Sequence, residues 1–286
     1  MHELAAIARK LGAPDGYSAA PLPGGLTNRN YRLGLPGGDD LVVRLGGPHT
    51  ALLGVDRERE LAALATARGL GAELVLADLE ADVLVTRYIP GRTLSPAEAA
   101  ADLPGLVAVL REVHALPPIP GRFHPIDAAR ELAERALARG LTAPADLDAA
   151  LATGARIAAA LGEAPAVTCH NDLLAANFLH DGARWRLIDW EYAAMGDAFF
   201  DLGNMAINME LDRAARRRML ALYFGREAEA DLARLDLMCV ASDLREGCWG
   251  LVKATLVGDD EREAFLAYAR RHLDRFADGA GRLAAP

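Results

Sequence analysis

The sequence is short of the residues that would suit an oxidising, membrane or nucleic-acid setting. Only three cysteines occur, Cys169, Cys239 and Cys248, an odd number with no Cys-x-x-Cys spacing and no paired histidine to complete a zinc site. Buried free thiols in a reducing compartment are therefore expected. No window approaches roughly 18 uninterrupted apolar residues, which excludes a membrane-spanning helix. The opening MHELAAIARKLG reads as a short amphipathic helix interrupted by Glu3, Arg9 and Lys10, without the apolar centre or cleavage site of a signal peptide. A cytoplasmic location is the expectation. Basic charge is also scarce: Lys plus Arg 31 against Asp plus Glu 40 leaves a net charge of −9, which repels nucleic acid and an anionic membrane surface alike. Aromatics are few, at 6%, but 52% apolar and 25% charged residues make a globular composition and exclude extensive disorder. There is no internal repeat, no Walker A motif and no Gly-x-Gly-x-x-Gly.

What is present divides in two. A chain of 286 residues is about twice the commonest domain size, so it holds two lobes or one large domain. The first ninety residues alternate around Tyr31, Leu33 and Leu35, turn at Pro36-Gly37-Gly38-Asp39, and continue in the β-rich run Leu41 to Leu45. A helical period from Val55 to Arg68 stops at Gly69, and apolar runs follow at Leu74 to Leu79 and Val83 to Ile89, giving the order ββ, α, ββ. Pro90-Gly91 breaks the last run. Ser95-Pro96-Ala97-Glu98 then carries a capping box with a proline suited to a first turn, opening one long helix toward His114. This places a boundary near residue 90, with one unit over 1–90 and a second, mainly helical one over 91–286. β signals interrupt that second part once, between about Val167 and Asp189.

Polar residues concentrate in the interruption: Cys169-His170-Asn171-Asp172-Leu173-Leu174-Ala175-Ala176-Asn177-Phe178, then Asp181-Gly182, then Leu187-Ile188-Asp189-Trp190-Glu191-Tyr192. Asp-Gly is a strong hairpin signal, so 178–180 should fold back on 184–188 and bring Asn177 and Asp189 to the same open end. A three-residue loop sets the two opposite each other; a two-residue loop offsets them by about 10 Å. An amide oxygen and a carboxylate so placed are hard ligands suited to a Mg²⁺ that also binds substrate phosphates. Asp172, five residues before Asn177, can accept a hydrogen bond from a substrate hydroxyl while the phosphate is held. Each residue alone is also an ordinary turn former; the three at this spacing point to chemistry.

HNDLLAANFL followed by LIDWEY is similar to the catalytic loop and metal-binding segment of aminoglycoside phosphotransferases and choline kinases, small-molecule kinases with the protein-kinase fold. The pattern H-x-D-x-x-x-x-N, then I-D-[WF]-E, matches residue for residue, and its D-x-G-N continuation stands at Asp201-Leu202-Gly203-Asn204. The resemblance covers roughly residues 20–255. It implies an α+β, two-lobed protein-kinase-like fold, with a small β-rich N-lobe and a larger mainly helical C-lobe, working with ATP and Mg²⁺. It implies Asp172 as catalytic base, His170 as a brace for the loop, and Asn177 and Asp189 as metal ligands. PGGLTNRNY resembles the phosphate-facing loop, implying nucleotide contacts from Gly24, Gly25, Thr27 and Asn28. In Leu41-Val42-Val43-Arg44-Leu45, period two puts Arg44 opposite three apolar side chains, where it wants an anion or an edge facing water. Arginine there resembles the choline and ethanolamine kinase branch, in which Glu60 would match the helix glutamate that pairs with it. VLVTRYIPG resembles the strand and hinge whose backbone, at Arg87, Tyr88 and Ile89, would bond the adenine edge.

An acceptor beside Asp172 should meet the segment that follows Asp189: Glu191, Tyr192 and the helix through Asn208 and Glu210. Acids with aromatics suit a cation. Cys248-Trp249-Gly250-Leu251-Val252 resembles the family's aromatic wall, with Trp249 and Tyr192 as wall residues, although the second tryptophan position is Val252 and the pocket glutamate falls on Asn208, or on Glu210 by a shift of register. The resemblance thus implies γ-phosphoryl transfer from ATP to choline or a similar amino alcohol, a small cationic hydroxylated partner. Thiamine and aminoglycosides are the alternative acceptors, and a nucleotide-binding pseudokinase serving as an interaction module is the alternative outside enzymes. Nothing in the pattern speaks to oligomeric state.

Overall fold

Alternation of apolar residues builds the first layer. In the computed structural model, which describes residues 2–13, 15–23, 28–47 and 50–284, helix α1 (His2–Lys10) precedes strands β1 (Ser18–Pro21), β2 (Arg29–Gly34) and β3 (Leu41–Leu45). A 3-10 turn at Thr50–Leu53, helix α2 (Arg57–Thr66) and strands β4 (Leu74–Asp78) and β5 (Val83–Arg87) follow. The strands form one antiparallel sheet in the order β1-β2-β3-β5-β4. β1 was not expected. Ser18-Ala19-Ala20-Pro21 has no β-branched or aromatic residue, and as a largely exposed edge strand it tolerates the proline. Leu33, Leu41, Val43, Leu45 and Val85 line one face and bury with Leu4 and Ile7 of α1. Leu84, on the opposite face, packs with Ala63 and Leu64 of α2, and Arg44 emerges on this side toward Glu60.

The chain then runs through β6 (Arg92–Thr93), α3 (Pro96–Ala99) and α4 (Leu103–His114). The single helix expected from Ser95 to His114 is two, because Pro104 fits only a first helical turn and a new helix must begin there. Next come α5 (Pro125–Ala138), α6 (Leu147–Leu161), β7 (Val167–Cys169), β8 (Phe178–His180), β9 (Trp185–Leu187), β10 (Ala194–Gly196) and α7 (Ala198–Asn208). Helices α8 (Arg213–Phe224), α9 (Glu229–Ala254) and α10 (Asp259–Ala284) complete the order. β6, β8 and β9 form a small sheet, and β7 pairs with β10. Helix α9 is buried along most of its length between α5, α7 and α10. Gly203 permits that packing, since a Cβ there would lie 3.0 Å from backbone atoms of Met238 and Cys239. The cysteines are buried and unpaired, and no helix among the described residues is long and apolar enough to cross a membrane.

Candidate active site

The loop between β7 and β8 is held by side chains of α7. Asp201 accepts the N–H groups of His170 (2.8 Å) and Asn171 (2.7 Å), and His114 donates to it through Nε2 (3.0 Å). Asn204 accepts the N–H of Leu173 (2.6 Å) and donates to Ser242 Oγ (2.9 Å). Burial pushes the Asp201 carboxyl up, but the His114 bond, the nearby histidines and the His170 N–H outweigh it and hold the group below its usual range. His114, Cys169 and Asp201 lie within metal-ligand spacing of one another. Asp201's oxygens are already used, and the Cys169 thiol is raised by burial, so this trio is a brace.

His170 is wholly buried against Trp190 and bonds the Ile188 carbonyl through Nε2 at 3.0 Å. Because a carbonyl can only accept, Nε2 carries the proton. Burial keeps the ring's pKa below the usual histidine value. His170 thus ties the loop to the strand that leads to Asp189.

The hairpin register is Phe178↔Leu187, Leu179↔Arg186 and His180↔Trp185. The connection is the four residues 181–184, neither of the two lengths considered from sequence, and Asn177 consequently stands opposite Ile188, whose N–H it accepts at 3.0 Å. Asp181 explains the longer turn: its Oδ1 accepts the N–H groups of Ala183 (2.9 Å) and Arg184 (2.8 Å). Asn177 Nδ2 donates to the Asp172 carbonyl at 2.8 Å, which leaves its amide oxygen to face elsewhere. Asp189 follows with φ +66°, a left-handed conformation that turns its carboxylate back toward the first sheet.

From that sheet, Arg44 reaches Glu60 at 2.5 Å and Asp189 at 3.2 Å. Glu60 is 1% exposed and also pairs with Arg57 at 2.9 Å. Arg57, which the sequence did not single out, bridges further to Asp82 (2.6 Å), Glu191 (3.4 Å) and Asn28 (2.8 Å). Asn28 in turn donates to Glu191 at 2.8 Å. Glu191, expected to face the acceptor, therefore belongs to this bridge, because neighbouring residues 191 and 192 point to opposite sides of the segment. Burial raises its carboxyl to about 7, with the Asp189 charge adding to the rise. Gly24, Gly25 and Thr27 lie outside the described residues. At the expected hinge, the N–H groups of Arg87 and Tyr88 already bond the Glu73 and Asp40 carbonyls, both at 2.8 Å. Ile89 is the one of the three without such a bond among the described residues. The exposed Arg87 side chain pairs with Glu73 and Asp39.

On the far side of Asp172 stands Arg245, 2% exposed, with Nη1 3.5 Å from the Asp172 carboxylate and 2.6 Å from Glu246. Its guanidinium lies over the Tyr192 ring at 4.5 Å. Tyr268 donates to Glu246 at 2.7 Å, and Trp249 Nε1 donates to Tyr192 Oη at 3.0 Å. Burial raises the Asp172 carboxyl well above its usual range; Arg245 opposes the rise and Glu246, Asp189 and Glu191 add to it. Asn208 and Glu210 do not join this group: they close the C-terminal end of α7, no hydrogen bond or ion pair links them to Asp172, Tyr192 or Trp249 among the described residues, and Glu210 is exposed. The missed pair Arg245-Glu246 did leave a signal: with Asp243 it makes three charges inside the otherwise mostly apolar stretch from Met238 to Val252. Arg245 and Tyr192 also wall a cavity of about 1040 Å³ bounded by Gly54, Arg59, Phe123, His124 and Asp197, which none of Asp172, Asn177 or Asp189 lines.

Known proteins share this arrangement of elements. The solved choline/ethanolamine kinase family protein from Mesorhizobium loti superimposes with a TM-score of 0.74 at 27% identity, over 99% of this chain and 97% of that one. The choline kinase LicA from Streptococcus pneumoniae gives 0.83 at 23% identity, over 99% of this chain and all (100%) of that one. In sequence, ethanolamine kinase 2 of Mus musculus is 30% identical over 179 residues, 58% of this chain; the match spans 46% of the mouse protein, less than half its length. The profile of the phosphotransferase enzyme family matches residues 18–237. With the kinase-like sheet, the braced loop and that match in hand, the chain belongs to the phosphotransferase enzyme family.

Proposed function

We propose that the protein transfers the γ-phosphate of ATP to the hydroxyl of a small amino alcohol of the choline and ethanolamine class. The observation that carries this is the convergence of the Asp172 loop, the Asn177 amide and the Asp189 carboxylate beside the Arg44–Glu60 pair. Likeness to ethanolamine kinase 2 and to the Mesorhizobium loti protein supports the acceptor class.

Asp172 accepts the hydrogen bond of the acceptor hydroxyl and aims its oxygen at the γ-phosphorus; as the new O–P bond forms and the bond to ADP breaks, the proton passes to the carboxylate. Arg245, 3.5 Å away, opposes the upward push of burial on that carboxyl. The Asn177 amide oxygen and the Asp189 carboxylate make a hard oxygen donor set that fits Mg²⁺, which when bound neutralises charge on the β and γ phosphates. Arg44, oriented by Glu60, adds a fixed positive charge on the nucleotide side.

A coupled ADP-release assay with choline, ethanolamine, thiamine and kanamycin tests the reading. Stimulation by an amino alcohol that disappears in Asp172→Ala, with nucleotide binding retained, is the expected result. Stimulation by kanamycin or thiamine alone would reassign the acceptor, and unchanged turnover in Asp172→Ala would remove the base.

A further inference from the structure

The acceptor side of Asp172 holds a cation of its own. Arg245 is 2% exposed, its Nη1 contacts both Asp172 and Glu246, and its guanidinium covers the Tyr192 ring at 4.5 Å. Nη2 is buried without a hydrogen-bond partner. Arg245 lines the cavity of about 1040 Å³ while Asp172, 3.5 Å from its Nη1, does not.

A quaternary ammonium donates no hydrogen bonds and depends on open aromatic faces. Here those faces are closed. Tyr192 and Trp249 are each 6% exposed. Trp249 is packed edge-on to Phe265 and Tyr268 at about 6 Å, and its Nε1 is bonded to Tyr192. A hydrogen-bonding cation fares differently, because the carboxyl groups of Asp172 and Glu246 both retain lone pairs that can accept from it.

We propose that Arg245 sets the acceptor class: its guanidinium occupies the place on Tyr192 that a trimethylammonium group would need, so the site takes alcohols bearing a primary amine in preference to quaternary ones. This rests on the amino-alcohol reading above and narrows it.

The test compares kcat/KM for ethanolamine and choline in the unaltered chain, in Arg245→Met and in Arg245→Lys, with tetramethylammonium binding followed by calorimetry. The unaltered chain should prefer ethanolamine by at least about tenfold. Arg245→Met removes the guanidinium and should move the ratio about tenfold toward choline, whereas Arg245→Lys keeps a cation and should stay near the starting ratio. An unaltered chain that prefers choline overturns the proposal whatever the variants do, and so does an unchanged ratio in Arg245→Met. If that variant loses turnover because Asp172 has lost its partner, calorimetry decides: tetramethylammonium should bind at least about tenfold more tightly than to the unaltered chain, and equal or weaker binding refutes the idea. Should Arg245→Met not fold, Arg245→Gln is read in the same way. Failure of the unaltered chain to phosphorylate either alcohol would sink the amino-alcohol reading, and tetramethylammonium binding would still decide the role of Arg245.

Discussion

Replacing Asp201 with asparagine tests the claim that α7 holds the β7–β8 loop through hydrogen bonds. Both Asp201 oxygens are occupied, Oδ1 by the Asn171 N–H and Oδ2 by the His170 N–H and His114 Nε2. An asparagine keeps the shape, but its NH₂ must face one of those donors in either orientation. The variant loses at least one charge-assisted bond, about 1.5–3 kcal/mol, and strands a buried donor, about 1–3 kcal/mol more. With the side chain fully buried, a loss of roughly 3–5 kcal/mol of unfolding free energy is expected. Urea unfolding at constant m-value measures it.

The same variant carries a pH signature. Asp201 sits below the ordinary carboxyl value in the folded chain, so its contribution is fully present above the unfolded value and is lost as pH falls through the folded one. Asp201→Asn should lack that acid-side loss. A variant within about 0.5 kcal/mol of the unaltered chain, or one with an identical acid limb, would mean the loop is held by something other than this carboxylate.

Two further outcomes are expected. Gly203→Val should destabilise by about 1–3 kcal/mol by forcing α7 away from α9, since a Cβ there meets backbone at 3.0 Å; an unchanged thermal midpoint would refute the close-approach argument. Glu191, raised to about 7 by burial, should favour folding fully below the unfolded carboxyl value and lose that contribution as pH rises through 7. In Mg²⁺-free buffer, Glu191→Gln should flatten stability across that window, and an unaltered slope would show that the group is not buried as described.

Much of the architecture was legible because it follows from local pattern. The period-two run at Leu41 to Leu45 and the Gly69 stop after a helical period led to a strand and a helix close to those observed. β1 left no trace because Ser-Ala-Ala-Pro forms a strand only when β2 offers it an edge. The 95–114 helix was read as one because its apolar period runs through Pro104, whose steric demand outweighs the period. The hairpin loop was misjudged because Asp-Gly marks a turn without fixing how many residues Asp181 will draw into it.

For the candidate site, the linear order of residues determined which groups share a loop: His170, Asp172 and Asn177 fall together by spacing alone, as does the return to Asp189. Tertiary structure decided their partners. Glu191 turns to Asn28 and Arg57, more than a hundred positions away in the chain, and Arg245 arrives at Asp172 from a helix near the other end. Period and spacing are short-range properties carried by each segment, whereas a buried charge finds its counter-ion only when separate elements pack. The sequence could therefore name a base and a metal-binding pair as candidates, but it could not show that a guanidinium from α9 stands beside Asp172.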